Sequence, residues 1–164
     1  MRDKVLGDKI LTILEKNARI TARELAALIG EREEDVAQEI EALENEGVIC
    51  GYHTMVNWDK TDNEKADAFI EVKVAPQRGV GFEQIAERIW QYPEVTSVYL
   101  ISGNFDYAVI IQGKSMREIA MFVSEKLSTI DGVLSTSTLF ILKKYKDHGT
   151  VLEEPKKDER IEMS

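Results

Sequence analysis

The sequence predicts an α+β chain built in two successive parts. Three observations predict it. Apolar residues recur at helical spacing in three short stretches before Gly47. From Ala66 the spacing changes to two, the period of a strand. Two further helical stretches then interrupt the strands, giving the order β-α-β, β-α-β.

The first helix covers residues 8–16, with Ile10, Leu11 and Leu14 on one face. The second opens with Thr21-Ala-Arg-Glu24, a capping box in which each side chain satisfies an orphan backbone N–H of the other residue. Leu25, Leu28 and Ile29 follow at helical spacing, and Gly30 supplies the stop. The third carries Val36, Ile40 and Leu43 and ends at Gly47. Only Gly30, Glu31 and Arg32 separate the second from the third. A short glycine-containing turn between two short helices is the arrangement of a helix-turn-helix. A small three-helix bundle that binds nothing, or binds protein, has the same spacing.

An extended stretch runs to about Trp58, followed by a polar linker to Lys65. Ala68, Ile70, Val72 and Val74 then alternate with Phe69, Glu71 and Lys73 in a first strand. Gly79 and Gly81 precede a helix with Phe82, Ile85, Ala86 and Ile89. Pro93-Glu94-Val95 leads into a strand through Ile101, and Gly103-Asn104 gives a two-residue hairpin signal. A strand over residues 105–112 follows. Ser115-Met-Arg-Glu118 is a second capping box, opening a helix with Ile119, Val123, Leu127 and Ile130. Asp131-Gly132-Val133 leads into the last strand, which ends near Leu142. Two β-α-β halves joined by a hairpin form the ferredoxin-like arrangement, with both helices on one face of a four-stranded antiparallel sheet.

The other face of that sheet also reads as apolar. Phe105, Tyr107, Val109 and Ile111 oppose Ala108 and Ile110; Leu139 and Ile141 oppose Phe140 and Leu142; Tyr99 and Ile101 oppose Val98 and Leu100. A solvated face would be polar at every second position. Either a second subunit covers this face about a two-fold axis, or the chain's own N-terminal part does. Residues 147–164, with nine charges, read as a solvated, disordered tail.

Composition narrows the function classes. The 164 residues hold 21 Lys+Arg and 30 Asp+Glu, a net charge of −9, and 43% are hydrophobic. That is enough for a packed core. The acidity argues at first sight against nucleic acid. Apolar runs reach five residues, whereas a membrane helix needs about 20. The start, Met1-Arg2-Asp3-Lys4, does not read as a signal peptide. One cysteine, Cys50, forms no internal disulfide, and His53 and His148 lack metal-ligand spacing. The expectation is a cytoplasmic protein with no metal, no cofactor and no membrane partner. No nucleophile–base pair and no phosphate loop is visible, so no catalytic residue is assigned; Cys50 and Trp58 read as packing residues and His53 as a surface residue.

The pattern resembles the Lrp/AsnC family of transcription regulators. The resemblance rests on Asp8-Lys-Ile-Leu11, Asn17-Ala-Arg-Ile-Thr21, Glu24-Leu-Ala26, Leu43-Glu-Asn-Glu-Gly-Val-Ile49, Gly51-Tyr52, Ser102-Gly-Asn-Phe-Asp-Tyr107, and Gly132-Val133 with Thr136 and Thr138 beyond. It implies a winged-type helix-turn-helix binding double-stranded DNA in residues 1–50, an extended linker in 51–65, and a ferredoxin-like effector and oligomerisation domain in 66–146. It further implies a homodimer formed through the sheets, assembling into a tetramer or octamer, and a small-molecule effector, commonly an amino acid. The effector residues implied are Ser102, Gly103, Asn104 and Asp106 of the hairpin and Thr136 and Thr138 of the last strand. Glycine lets backbone amides approach a ligand, and a carboxylate can hold an α-ammonium group. A plain turn with a stabilising carboxylate is the other reading of the same residues.

The third helix departs from the family. Residues 31–46 contain eight acids and one base, Arg32, and Gln38, Glu39 and Glu41 stand where the family commonly has basic groups. Residues 1–50 hold 7 bases and 12 acids, so more than half of the excess acid lies in less than a third of the chain. Acids in a helix's first turn favour the helix through its macrodipole, but they are poor neighbours for phosphate. Lys16, Arg19, Thr21 and Arg23 are the candidate phosphate contacts, assisted by Arg2, Lys4 and Lys9. On the third helix Arg32 and Gln38 could contact DNA, Gln38 by reading adenine, and Glu34 and Asp35 could accept from cytosine N4. Two functions follow: an oligomeric DNA-binding regulator, or an amino-acid sensor whose acidic helix-turn-helix serves protein interaction.

Overall fold

The computed structural model describes residues 4–63, 65–75 and 81–153. The chain divides into two compact units, Met1–Val56 and Asn57–Ser164. The stretch expected as a linker is thus shared between them. Arg2, Gly79 and most of the charged tail lie outside the described residues.

The first unit contains helices α1 (Lys4–Leu14), α2 (Ala22–Ile29) and α3 (Glu33–Asn45). Helix α1 starts four residues earlier than its periodicity suggests, because Leu6 joins Ile10 and Leu14 on the buried face. Lys16 lies beyond its end. The capping box on α2 forms as read. Thr21 Oγ1 accepts from the Glu24 N–H at 3.2 Å, and Glu24 Oε2 accepts from the Thr21 N–H at 2.9 Å. Gly30, at φ 75°, ends the helix in the left-handed region that glycine adopts without strain. At the end of α3, Gly47 takes φ 69°; its N–H donates to Glu44 O and that of Val48 to Leu43 O, a Schellman-type closure.

Helical spacing alone does not fix which side of a helix is buried. In α2 the buried residues are Leu25 and Ala26, with Ile29 packed beside them, while Leu28 is 68% exposed. Successive residues turn by about 100°, so a face centred between Leu25, Ala26 and Ile29 leaves Leu28 about a quarter-turn outside it. In α3, Val36, Glu39 and Leu43 are buried. Glu39 is therefore on the core side, 8% exposed, and not on the outer face where the resemblance places it. Residues 48–57 make no paired strand, so the wing implied by the resemblance is, among the described residues, an unpaired segment.

The second unit contains β1 (Ala66–Val74), α4 (Phe82–Trp90), β2 (Val95–Leu100), β3 (Tyr107–Gly113), α5 (Met116–Glu125) and β4 (Val133–Ile141). The four strands form one antiparallel sheet in the order β2-β3-β1-β4. This is the ferredoxin-like topology. Ala68, Ile70, Val72, Val109 and Ile111 point to the helix side, where Ile85 and Ile89 of α4 and Ile119, Phe122 and Val123 of α5 complete the core. The register places Phe69, Ala108, Ile110, Leu139 and Ile141 on the opposite face. Tyr99 and Leu139 on that side are 54% and 49% exposed.

Several expectations are corrected here. The connection between β2 and β3 is not a two-residue turn at Gly103-Asn104: Leu100 pairs with Tyr107, leaving a six-residue loop, 101–106. Neither Gly103 nor Asn104 has the positive φ that such a turn requires. Phe105 accordingly leaves the strand and packs edge-on against Phe69, 6.0 Å between ring centroids, on the face away from α4 and α5. The charged tail begins with a short ladder, β5 (Lys146–Asp147) with β6 (Thr150–Val151), and Leu152 is held by Asn57 Nδ2 donating to its carbonyl at 2.9 Å. A turn through His148 and Gly149, both at positive φ, makes the ladder possible. The second capping box is half formed: Ser115 Oγ accepts from the Glu118 N–H, but the Glu118 carboxylate reaches the N–H of Lys114. Cys50 is exposed, its thiol donating to Gly47 O, and is no packing residue.

Candidate nucleic-acid interface and effector loop

The residues read as DNA contacts fall into two groups. Lys16, Arg19 and Arg23 are exposed around the start of α2 and form no ion pair among the described residues. Thr21 is in the same place, but its hydroxyl is occupied by the cap: it accepts from the Glu24 N–H and donates to Glu24 Oε2 at 2.8 Å. These bonds hold the Glu24 carboxyl below the usual glutamate range.

The second group, on α3, is partly self-satisfied. Arg32 grips Asp35 with two bonds, Nε to Oδ2 at 2.7 Å and Nη2 to Oδ1 at 2.6 Å. The hydrogen bond lowers the Asp35 pKa and raises that of Arg32. In this arrangement two of Arg32's five N–H donors and one lone pair on each Asp35 oxygen are spent on the pair, and the pair carries no net charge toward phosphate. Glu34, Gln38 and Glu41 remain as the exposed stripe of the helix, spaced at about one turn. Glu44 is tied down differently, accepting from the Tyr52 hydroxyl at 2.7 Å, which raises the Tyr52 pKa.

In the second unit the loop 101–106 is organised by Asp106. Its Oδ2 accepts from the Val74 N–H at 2.8 Å, its own N–H donates to Val72 O at 3.0 Å, and its carbonyl accepts from the Ile101 N–H at 2.7 Å. The carboxylate is thus the stabilising acid of the loop in the form described. Ser102, Gly103 and Asn104 are exposed at the loop's tip. A Cβ on Gly103 would meet only Ile101 Cγ2, at an ordinary 3.6 Å. The loop's own backbone does not demand glycine there.

Thr136 and Thr138 do not join this loop within one chain. They pair with Val72 and Ile70 across β1, on the strand edge away from β3, about 10 Å from it at two strand spacings. Thr136 shares a 3.2 Å hydrogen bond with Ser128. Sequence reasoning missed Val74 and Ser128 as partners of these candidates. The Val74–Asp106 bond spans 32 residues and leaves no local signal.

Residues 67–151 match the family model described as the Lrp/AsnC ligand binding domain, more than half of the chain. This chain belongs to the Lrp/AsnC family. The uncharacterized HTH-type transcriptional regulator YugG of Bacillus subtilis (strain 168) is 49% identical over 157 residues, 95% of each chain. The HTH-type transcriptional regulator FL11 of Pyrococcus furiosus is 30% identical, over 87% of this chain and 91% of that one. Among solved structures, the transcriptional regulator NMB0573 of Neisseria meningitidis, in complex with L-Met, superposes with a TM-score of 0.70 at 26% identity, covering 90% of this chain and 94% of that one. The chain is an Lrp/AsnC-type transcriptional regulator, with a helix-turn-helix and a ferredoxin-like ligand-binding domain. Its curated relatives are regulators and not enzymes. Among the described residues, no helix is long and apolar enough to cross a membrane.

Proposed function

We propose that the protein is an oligomeric DNA-binding regulator whose activity is modulated by an amino acid. The observation that carries this reading is the match, over 95% of both chains, to a helix-turn-helix regulator. In this reading Lys16, Arg19 and Arg23 bind phosphate, with Thr21 capping the helix that carries Arg23. Gln38 and Glu34 read bases, and Arg32 and Asp35 act through the donors and lone pairs that their ion pair leaves free. The effector is held at Ser102, Gly103, Asn104 and Asp106. The support for that site is a glycine the loop does not need for itself and the related regulator solved with L-Met. Thr136 and Thr138, away from the loop in one chain, would belong to the site through a neighbouring subunit. A dimer covering the apolar sheet face supplies such neighbours, and tetramers or octamers supply more.

The acidic stripe Glu34, Glu41 on α3 favours a second reading, in which the helix-turn-helix serves protein interaction and the chain is an amino-acid-sensing oligomer. Gel shifts of the intact protein on its own upstream DNA, with and without a panel of amino acids, separate the two. A shift altered by one amino acid supports regulation by effector. The absence of any shift at low salt, at every protein concentration, selects the second reading.

A further inference from the structure

At the end of the sheet opposite loop 101–106, where β1 begins and β3 and β4 end, lies a cleft of about 700 Å³. That is the size of an ordinary small-molecule site. Five lysines line it, Lys60, Lys65, Lys114, Lys143 and Lys144, against three carboxylates and no arginine. A local excess of two positive charges stands out in a chain of net −9.

The cations are not equivalent. Lys143 pairs with Glu153, and Lys144 with Asp67 at 2.8 Å. Lys65 donates to Gln112 Oε1 at 3.0 Å and lies 3.9 Å from the Trp58 ring centre. Lys60 and Lys114 form no ion pair among the described residues, and both are exposed. Beside them the wall is apolar: Met116, Leu152 and Leu142, the last 85% exposed. Unspent ammonium groups next to unspent apolar surface, in a recess that concentrates their field, define an amphiphilic anion site.

We propose that this cleft binds a small phosphate-bearing molecule with an apolar or aromatic body. Lysines act as point charges, and the two unpaired ones, Lys60 and Lys114, match the two charges of a phosphate monoester rather than the single charge of a carboxylate. Lys60 and Lys114 take the phosphate, and Met116 and Leu142 take the body. Asp59 and Asp67, also in the lining, oppose an extended polyanion such as the DNA backbone.

The test uses the full chain and phenyl phosphate as probe, with phenol, benzoate and duplex DNA as comparisons, read by titration calorimetry. Phenyl phosphate binds more tightly than phenol or benzoate. Lys60→Gln with Lys114→Gln weakens it by on the order of tenfold or more, two charge-assisted contacts being lost. Lys60→Arg with Lys114→Arg, which keeps both charges, retains most of the binding. Failure of phenyl phosphate to bind at millimolar concentration overturns the proposal. So does binding unaffected by the Gln pair in a variant whose circular dichroism is native. Benzoate binding as tightly overturns the assignment of phosphate, and loss of DNA affinity in the Gln pair without any phenyl phosphate site assigns the cleft to DNA.

Discussion

Replacing Asp106 with Ala removes the acceptor of the Val74 N–H. Val74 is 7% exposed and the bond is 2.8 Å long. The bond is part-buried, and the cost of leaving such a donor without its acceptor is about 1–3 kcal/mol. For a unit of roughly a hundred residues, about 4 °C of melting temperature is lost per kcal/mol, so the drop is about 4–12 °C. Asp106→Asn keeps an acceptor oxygen but loses the charge, and charge-assisted bonds are about twice as strong as neutral ones. Its loss is therefore about half that of the alanine variant. The assay is differential scanning calorimetry at one protein concentration with no amino acid present, which isolates the bond from any effector. If the alanine variant melts within about a degree of the parent, the Val74–Asp106 bond does not organise the loop and the reasoning fails. If it behaves as stated, the asparagine variant becomes the informative one: a near-native fold in which an effector response can be measured without the carboxylate charge.

Further outcomes are expected. Thr21→Ala removes the cap of α2 and costs about 1 kcal/mol, seen as faster hydrogen exchange in the first turn of that helix. Glu24 has a folded pKa below its unfolded value, so its contribution is full above the usual glutamate range and is lost as pH falls through the lowered folded value; melts of the parent and Glu24→Gln converge at acid pH. Lys16→Glu with Arg23→Glu weakens binding to all DNA sequences alike and flattens the salt dependence, measured by anisotropy at several salt concentrations. Light scattering reports a particle larger than a monomer, and Tyr99→Asp with Leu139→Asp on the open sheet face reduces it; a monomeric parent at micromolar concentration refutes the covered face.

Features with a local cause were legible in the sequence. The Thr21–Glu24 box, the Gly30 and Gly47 stops and the alternation of β1 all depend on neighbours a few residues apart, and all formed as read. The four-stranded antiparallel sheet with both helices on one face followed from the element order. The Ser115–Glu118 box was misread locally, its carboxylate turning to the Lys114 N–H, but most of the other misreadings depended on distant contacts or on angular detail. Gly103-Asn104 has the composition of a tight turn, but Asp106 is held to β1 from 32 residues away and the loop opens. Leu28 and Glu39 were misplaced because helical spacing allows several faces, and packing between helices selects one. Of the candidate site, the place of residues 101–106 between β2 and β3 was legible; the separation of Thr136 and Thr138 from them follows from pairing across β1 and was not.

The clamp between Arg32 and Asp35 bears on how the protein would respond to ionic strength. DNA carries condensed cations, and each phosphate neutralised by a protein cation releases about one of them. Arg32 keeps three N–H donors with which to meet a phosphate, but the pair it forms with Asp35 has no net charge. A phosphate met by that neutral pair keeps its condensed cation. Arg32 would therefore contribute contact geometry without contributing to the salt slope, and the number of cations counted from that slope would be one fewer than the number of arginines and lysines at the DNA. Asp35→Asn restores the missing count.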